Sequence, residues 1–176
     1  MYREVIFTAW RNNKNDEMNK DQIFVKMALS AWDTHIDRST ELLESISEEQ
    51  LLNEIAPNKN RGIYLVGHLV AIHDAMNDIL GLGNRSHEEL DEAFVDNPDN
   101  SGFDMPTVSD LKKYWNDVHQ NLRNSLSQLS ADEWFKRHNH ITDEVFVKEP
   151  HRNKLNVLMN RTNHLAYHLG QLRLLQ

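Results

Sequence analysis

Residues 63–80 read IYLVGHLVAIHDAMNDIL. Apolar side chains occupy every turn of this stretch and cover almost the whole circumference of a helix, a pattern typical of a helix buried inside a protein. Such a helix needs other amphipathic helices packed around it. The stretch therefore predicts an all-α protein in which this helix is the most buried element.

Three other segments repeat apolar residues at the spacing of one helix face. They cover residues 21–46, with Asp21 as the predicted N-cap, residues from about 107 to 129, and residues 152–175. Together with residues 63–80 they supply four long helices. Four long helices in one chain predict a four-helix bundle of antiparallel or mixed direction.

The connections contain shorter signals. Ser47 and Ser130 are each followed three residues later by Gln or Glu, which predicts capping boxes that open short helices. The acidic residues 86–94 predict a further helical piece, and residues 138–150 are predicted to be extended. The long connection that contains residues 84–106 is rich in Asn, Asp, Pro and Gly and predicts one long crossover.

The chain length fits one domain. At 176 residues, 39% of them hydrophobic, the chain can bury an ordinary core without disulfides. We predict a bundle domain over residues 18–176, preceded by an N-terminal extension, residues 1–17, that is either disordered or packed on the bundle.

Charge and hydropathy exclude several classes of partner. The net charge is -8 and the basic residues are scattered, so nucleic acid is not an expected partner. No apolar run approaches the roughly 18 residues that span a bilayer. The only apolar run near the start contains Arg3 and Glu4, unlike the core of a signal peptide. We therefore expect a cytoplasmic protein with no membrane partner.

Metal chemistry in this chain has to rely on nitrogen and oxygen ligands, because there is no cysteine. The ten histidines are therefore the first candidates, since imidazole is the commonest metal ligand near neutral pH. His164 and His168 are four residues apart on the last predicted helix, about 40° apart around its axis. Both imidazoles can reach one metal ion from that spacing.

His68 is the third candidate ligand. It shares a helix face with Leu65 and Ile72, and an imidazole buried on such a face needs partners for its nitrogens. Two interpretations stay open: a histidine bonded to a side chain across the bundle, or a metal ligand together with His164 and His168. Three imidazoles would leave coordination positions open, as catalytic sites do.

Other residues are candidates for the surroundings of this site. His73 lies about 140° around the helix from His68, which favours a partner on another element over a fourth ligand. Gln171 is placed to orient a ligand imidazole, His35 to line the cavity and Arg161 to hold an anionic group of a substrate. For each of these, an ordinary packing or surface role stays open.

The Gly67-His68-Leu69 stretch and the terminal His164-x-x-x-His168-x-Gly170-Gln171 motif resemble the DinB superfamily (DinB/YfiT-like proteins), over roughly residues 19–176. The resemblance implies one divalent metal ion, nickel, zinc, manganese or iron, and a homodimer. It also implies transfer of a low-molecular-weight thiol such as bacillithiol, mycothiol or glutathione. Where relatives commonly carry an acidic residue near the first histidine, this chain has His73-Asp74.

Three functional interpretations follow from these observations. The first is a metal-dependent transferase or hydrolase that acts on a small molecule. The second is a stress-response protein that binds metal or a small ligand without turnover. The third is a plain helical bundle whose histidines are hydrogen-bonded core groups. The first is the preferred interpretation and the second its alternative, and the family resemblance favours a thiol over water as the nucleophile.

Overall fold

The computed structural model describes residues 18–176, which form a helical bundle without strands. Its long helices are α1 (Lys20–Ser45), α3 (Gly62–Asp74) continued by α4 (Met76–Leu80), α6 (Val108–Leu126) and α9 (Lys154–Leu172). The accessory helices are α2 (Glu48–Leu51), α5 (Asp91–Phe94), α7 (Ala131–Trp134) and α8 (Asp143–Lys148), with 3₁₀ turns at Glu88–Leu90 and Arg173–Leu175. The predicted four-helix bundle with short accessory helices is confirmed.

The N-terminal extension predicted at residues 1–17 lies outside the described residues, so the domain boundary stays a prediction. Within residues 18–176, no helix has the length and apolar character needed to cross a bilayer.

The N-cap of helix α1 lies two residues before the predicted one. Asn19 is the N-cap: its side chain accepts a hydrogen bond from the Gln22 backbone N–H at 2.9 Å, and the Gln22 side chain accepts one from Asn19 N–H at 2.8 Å. Asp21 lies in the first turn, where its charge suits the helix dipole. The prediction was wrong because Asn and Asp are about equally good caps, so the reciprocal Gln22 contact decides.

The prediction of an extended segment at residues 138–150 was wrong over its second half. Thr142 caps α8 by accepting a hydrogen bond from Val145 N–H, and the acidic Asp143 and Glu144 occupy the first turn. Both features favour a helix start. The Val-Phe-Val run looked like a strand, but Val147 is 81% exposed and packs into no sheet.

The helix predicted over residues 63–80 is interrupted at Ala75. The Asn77 side chain reaches back across the interruption and donates a hydrogen bond to the Asp74 backbone oxygen at 3.1 Å. This bond competes with regular helix bonding. The buried Asp74 carboxylate accepts hydrogen bonds from the backbone N–H groups of Ser86 and His87. The crossover is thus tied to the end of α3.

Contacts between the long helices define their directions. Trp115 donates to Thr40 at 2.9 Å and Arg123 to Asp37 at 2.9 Å, so α6 runs antiparallel to α1. Contacts from α3 and α4 to α6 advance in the same direction along the chain, first His73 with His119 and then Asn77 with Asn121. These neighbours are therefore parallel, and the long crossover between them is the connection that a parallel pair requires.

Candidate metal centre

Three imidazoles from two neighbouring helices meet inside the bundle. His68 comes from α3, and His164 and His168 come from successive turns of α9. The Nε2 atom of His164 lies 3.3 Å from that of His68 and 3.0 Å from that of His168. Among residues 18–176 this is the one group of His, Asp or Glu side chains whose ligand atoms, all within 4.8 Å of one another, are suited to hold a metal ion.

Oxygen atoms behind two of the rings set their tautomers. His68 Nδ1 lies 2.8 Å from the backbone oxygen of Phe94, and His168 Nδ1 lies 2.6 Å from Gln171 Oε1. Because both oxygens only accept hydrogen bonds, each Nδ1 carries the proton of its neutral ring. The Nε2 atoms of His68 and His168 therefore present lone pairs to the centre of the cluster.

A cation fits this arrangement better than protons do. His164 Nε2 can carry at most one hydrogen, which satisfies one of the two facing lone pairs. A tetrahedral ion with Zn–N bonds of 2.0–2.1 Å separates its nitrogen ligands by about 3.3 Å, close to the 3.3 and 3.0 Å found here. The donor set and its spacing thus fit a divalent metal ion held by three nitrogens.

Gly67 allows Phe94 to reach His68. A Cβ atom at Gly67 would lie 2.3 Å from the ring of the fully buried Phe94, so any side chain there would displace the ring. With glycine, α5 packs close enough for the Phe94 carbonyl to accept from His68. Tyr64 stacks parallel to His68, with ring centroids 6.4 Å apart, and donates to the Asn97 carbonyl.

The three imidazoles favour the neutral state that metal binding needs. Burial lowers the pKa of His68, partly offset by its bond to Phe94, and the charge of Arg161 lowers it further. Burial, the other two imidazoles and Arg161 lower the pKa of His164 to about 4. Burial also lowers the pKa of His168, against the bond to Gln171. All three side chains are half-buried, so each keeps part of its surface in contact with solvent.

The predicted neighbours divide into two groups. Gln171 holds His168, as expected, and its own amide donates to Tyr167 at 3.2 Å. The charge of Arg161 lowers the pKa values of His68 and His164. His35 contributes no nitrogen to the cluster and lines an open groove along α1 instead.

His73 has the partner on another element that its angular position predicted. Its Nδ1 lies 2.8 Å from His119 Nε2, and His119 Nδ1 lies 2.7 Å from the Trp115 carbonyl. Asp74 faces the crossover and not the histidine cluster. The departure from the common pattern at residues 73–74 therefore builds a second, separate histidine group.

The sequence interpretation missed His119 and Phe94. His119 lies four residues after Trp115 and next to Val118, both in the apolar stripe of α6, and that position was a usable signal. Phe94 acts through its backbone oxygen, which no side-chain pattern reveals.

Comparison with known families gives one match. A family model described as the DinB superfamily matches residues 31–172, well over half of the chain, and the match includes all three clustered histidines. No curated protein matches the chain.

Proposed function

The chain belongs to the DinB superfamily, and from this membership and the converging imidazoles we propose that it binds one divalent metal ion through His68, His164 and His168. We further propose that the ion serves a reaction on a small molecule, most simply the transfer of a low-molecular-weight thiol to an electrophile. Hydrolysis is the variant in which water takes the place of the thiol.

The observation that carries the proposal is the orientation of the rings. Phe94 and Gln171 accept the Nδ1 protons of His68 and His168, so two lone pairs point at the third imidazole. Hydrogen-bonded partners of this kind are typical of metal-ligating histidines, where they fix the ring and raise its basicity. A cluster of core histidines without a metal would be expected to alternate donors and acceptors.

The ligand type restricts the metal. Neutral imidazoles suit zinc, nickel and iron, whereas manganese prefers carboxylate oxygens. Among the described residues no carboxylate joins the three nitrogens. We therefore expect zinc, nickel or ferrous iron rather than manganese.

A bound divalent ion would lower the pKa of a thiol or water that reaches it, which creates a nucleophile near neutral pH. The chain has no cysteine, so a reacting thiol has to come from a cosubstrate. The half-buried rings keep part of their surface in solvent, from which a cosubstrate would approach, while Phe94 and Gln171 hold the rings of His68 and His168 in place. We expect the active form to be a homodimer, as the family resemblance implies.

A non-catalytic metal- or ligand-binding role is the second candidate, and one observation favours it. Among residues 18–176, no Asp or Glu oxygen joins the three nitrogens in the ligand group. The group itself therefore contains no carboxylate that could act as a general base. A binder needs none, and a transferase would depend on the ion alone.

Metal analysis tests the premise of both candidates. Protein purified without a histidine tag should contain about one metal ion per chain, and the His164→Ala variant should contain almost none. Equal, near-zero metal in both proteins would overturn the proposal and leave a hydrogen-bonded bundle.

Loss of free thiol separates the transferase from the binder. Metal-loaded protein, glutathione and a panel of electrophiles should show thiol consumption that depends on the metal and disappears in His164→Ala. A panel that includes bacillithiol and mycothiol covers the other thiols. Metal-bound protein that consumes none of them would favour the binding role.

A further inference from the structure

Arg161 differs from the other half-buried arginines of the described chain in its lack of an acidic partner. Five others each place a guanidinium nitrogen 2.6–3.2 Å from a carboxylate oxygen. These pairs are Arg61–Asp99, Arg85–Asp91, Arg123–Asp37, Arg137–Asp143 and Arg152–Glu149. Within residues 18–176, Arg161 forms no ion pair, and its buried Nε has no hydrogen-bond partner.

The position of Arg161 places it on the metal-binding side of α9. Counted at 100° per residue, it lies about 20° from His168 and about 60° from His164 around the helix axis. Its charge lowers the pKa values of His68, His73 and His164, so it lies within electrostatic range of imidazoles on both helices.

A buried cation without an anion opposes folding, because no ion pair offsets the free energy that is lost when the charge leaves water. Burial accordingly lowers the pKa of Arg161, and no carboxylate acts in the other direction. Residues that cost stability in this way are typical of binding sites, where the partner is a ligand. Two more buried nitrogens nearby, His73 Nε2 and His164 Nδ1, also have no partner among the described residues.

We infer that Arg161 binds the carboxylate of the small molecule that reaches the metal, so the site selects carboxylate-bearing ligands over neutral ones. This inference rests on the proposed function and specifies its substrate class. The ligand approaches His68, His164 and His168 with its reactive group and places its carboxylate on the outer, Nη edge of the Arg161 guanidinium.

Charge and geometry both favour a carboxylate. Three neutral imidazoles, a divalent ion and one guanidinium sum to three positive charges, with no acidic side chain of the described residues among them. The outer edge of a guanidinium, formed by its two Nη atoms, matches a carboxylate with two parallel hydrogen bonds. Arg85 shows this arrangement here: its Nη1 lies 2.6 Å from Asp91 Oδ2 and its Nη2 lies 2.6 Å from Asp91 Oδ1.

A matched pair of probes tests the inference by calorimetry on zinc-loaded full-length protein. 3-Mercaptopropionate and 3-mercaptopropionamide differ only in the charge of the group distal to the thiol. The wild type should bind the acid about 10-fold to 100-fold more tightly than the amide, as expected for hydrogen bonds to a charged group. In Arg161→Gln the acid should lose its advantage, so that the two affinities become nearly equal while zinc remains bound.

Two further variants separate charge, geometry and structure. Arg161→Lys should keep part of the preference, since lysine retains the charge without the planar fork. Arg123→Gln, on α6 and paired with Asp37, should keep all of it. The melting temperature of Arg161→Gln should equal or exceed that of the wild type, which excludes unfolding as the reason for its loss of preference.

The outcomes distinguish this inference from the proposed function. Equal binding of both probes by the wild type, or a preference that persists in Arg161→Gln, would overturn the inference even if zinc binds. If the wild type binds no metal, the proposed function fails, and metal-free protein is then titrated with propionate and propionamide. A preference for propionate that Arg161→Gln removes would support the role of the arginine, and its absence would overturn it.

Discussion

Two histidine groups lie five residues apart along α3, and they are built in opposite ways. In the His73–His119 pair the nitrogens form a line: His119 Nδ1 donates to the Trp115 carbonyl, and His73 Nδ1 donates to His119 Nε2. In the cluster around His164 the nitrogens converge, because the protons of His68 and His168 point outward to oxygen atoms.

The two groups show how a histidine that packs in the core differs from a candidate metal ligand. In the His73–His119 pair, each of the two hydrogen bonds has one proton. The rings pack as core groups, His73 against Trp32 and His119 against Trp115. In the cluster, three nitrogens share at most one proton, which leaves a lone pair available to the proposed metal ion. The groups also differ in burial, because His73 and His119 are buried and the three clustered rings are half-buried. The feature typical of a metal ligand is a pair of Nε2 lone pairs that face one another with no proton between them.

Removing one histidine from each group should give the largest contrast. His68→Ala should weaken metal binding by more than the 10-fold to roughly 100-fold that loss of an outer hydrogen bond costs. His119→Ala should leave metal affinity unchanged and lower the free energy of unfolding by about 1–3 kcal/mol, because His73 and the Trp115 carbonyl lose their partner. Chelator competition and urea unfolding measure the two effects. Metal loss in His119→Ala would show that the groups act as one site.

Glycine substitutions probe how Phe94 supports the cluster. Gly67→Ala should lower the free energy of unfolding by about 1–3 kcal/mol, because the new methyl group displaces the Phe94 ring. It should also weaken metal binding, since the Phe94 carbonyl moves away from His68. Gly170→Ala is the matched control: among the described residues nothing lies within 4 Å of its Cβ position, so it should stabilise α9 by about 0.5–1 kcal/mol. Equal effects of both variants would contradict the packing account.

The outer partner of His168 should have a smaller effect. Gln171→Leu removes the acceptor of the His168 Nδ1 proton and should reduce metal affinity by about 10-fold. Gln120→Leu is a suitable control, because the Gln120 side chain is exposed and, among the residues that the structure describes, donates its amide hydrogen bond to Asn124 of the same helix, at 3.4 Å. Chelator competition with the same metal compares both variants. An unchanged affinity in Gln171→Leu would mean that the ring of His168 is held by packing alone.

The smallest expected effect is the pH dependence of the pair. Burial lowers the pKa of His119 to about 3 and that of His73 well below its ordinary value. Both titrate near 6.5 when unfolded. Below that pH the unfolded chain binds protons that the folded chain does not, so stability falls as pH falls from about 6.5 towards 3.

We expect a loss of about 1 kcal/mol from the pair between about pH 7 and pH 6. Urea unfolding of metal-free protein at both pH values measures it. The double replacement of His73 and His119 by Leu should flatten the dependence, and the remaining slope reports the other histidines. An identical slope in both proteins would mean that the pair is not neutral in the folded state.

Much of the architecture was predictable because helical periodicity is local. The apolar spacing of residues 63–80 and the capping signals at Ser47 and Ser130 gave helices close to their observed positions. The misplaced cap at Asp21 and the strand expected before Pro150 show the limit of this reasoning. Asn19 and Asp21 are both suitable caps for α1, and the hydrogen bonds that form in the folded chain decide which one is used. In the same way, the cap at Thr142 makes residues 143–148 a helix and not a strand.

The absence of cysteine restricts any metal site to nitrogen and oxygen ligands, and helical spacing places His164 and His168 on one face of one helix. Helix packing sets the rest: His68 meets these two, His73 turns to His119, and the Phe94 carbonyl accepts from His68. The two kinds of information differ in their range along the chain. Spacing along a helix specifies neighbours within one or two turns, whereas contacts between distant segments and backbone oxygens depend on how the helices pack.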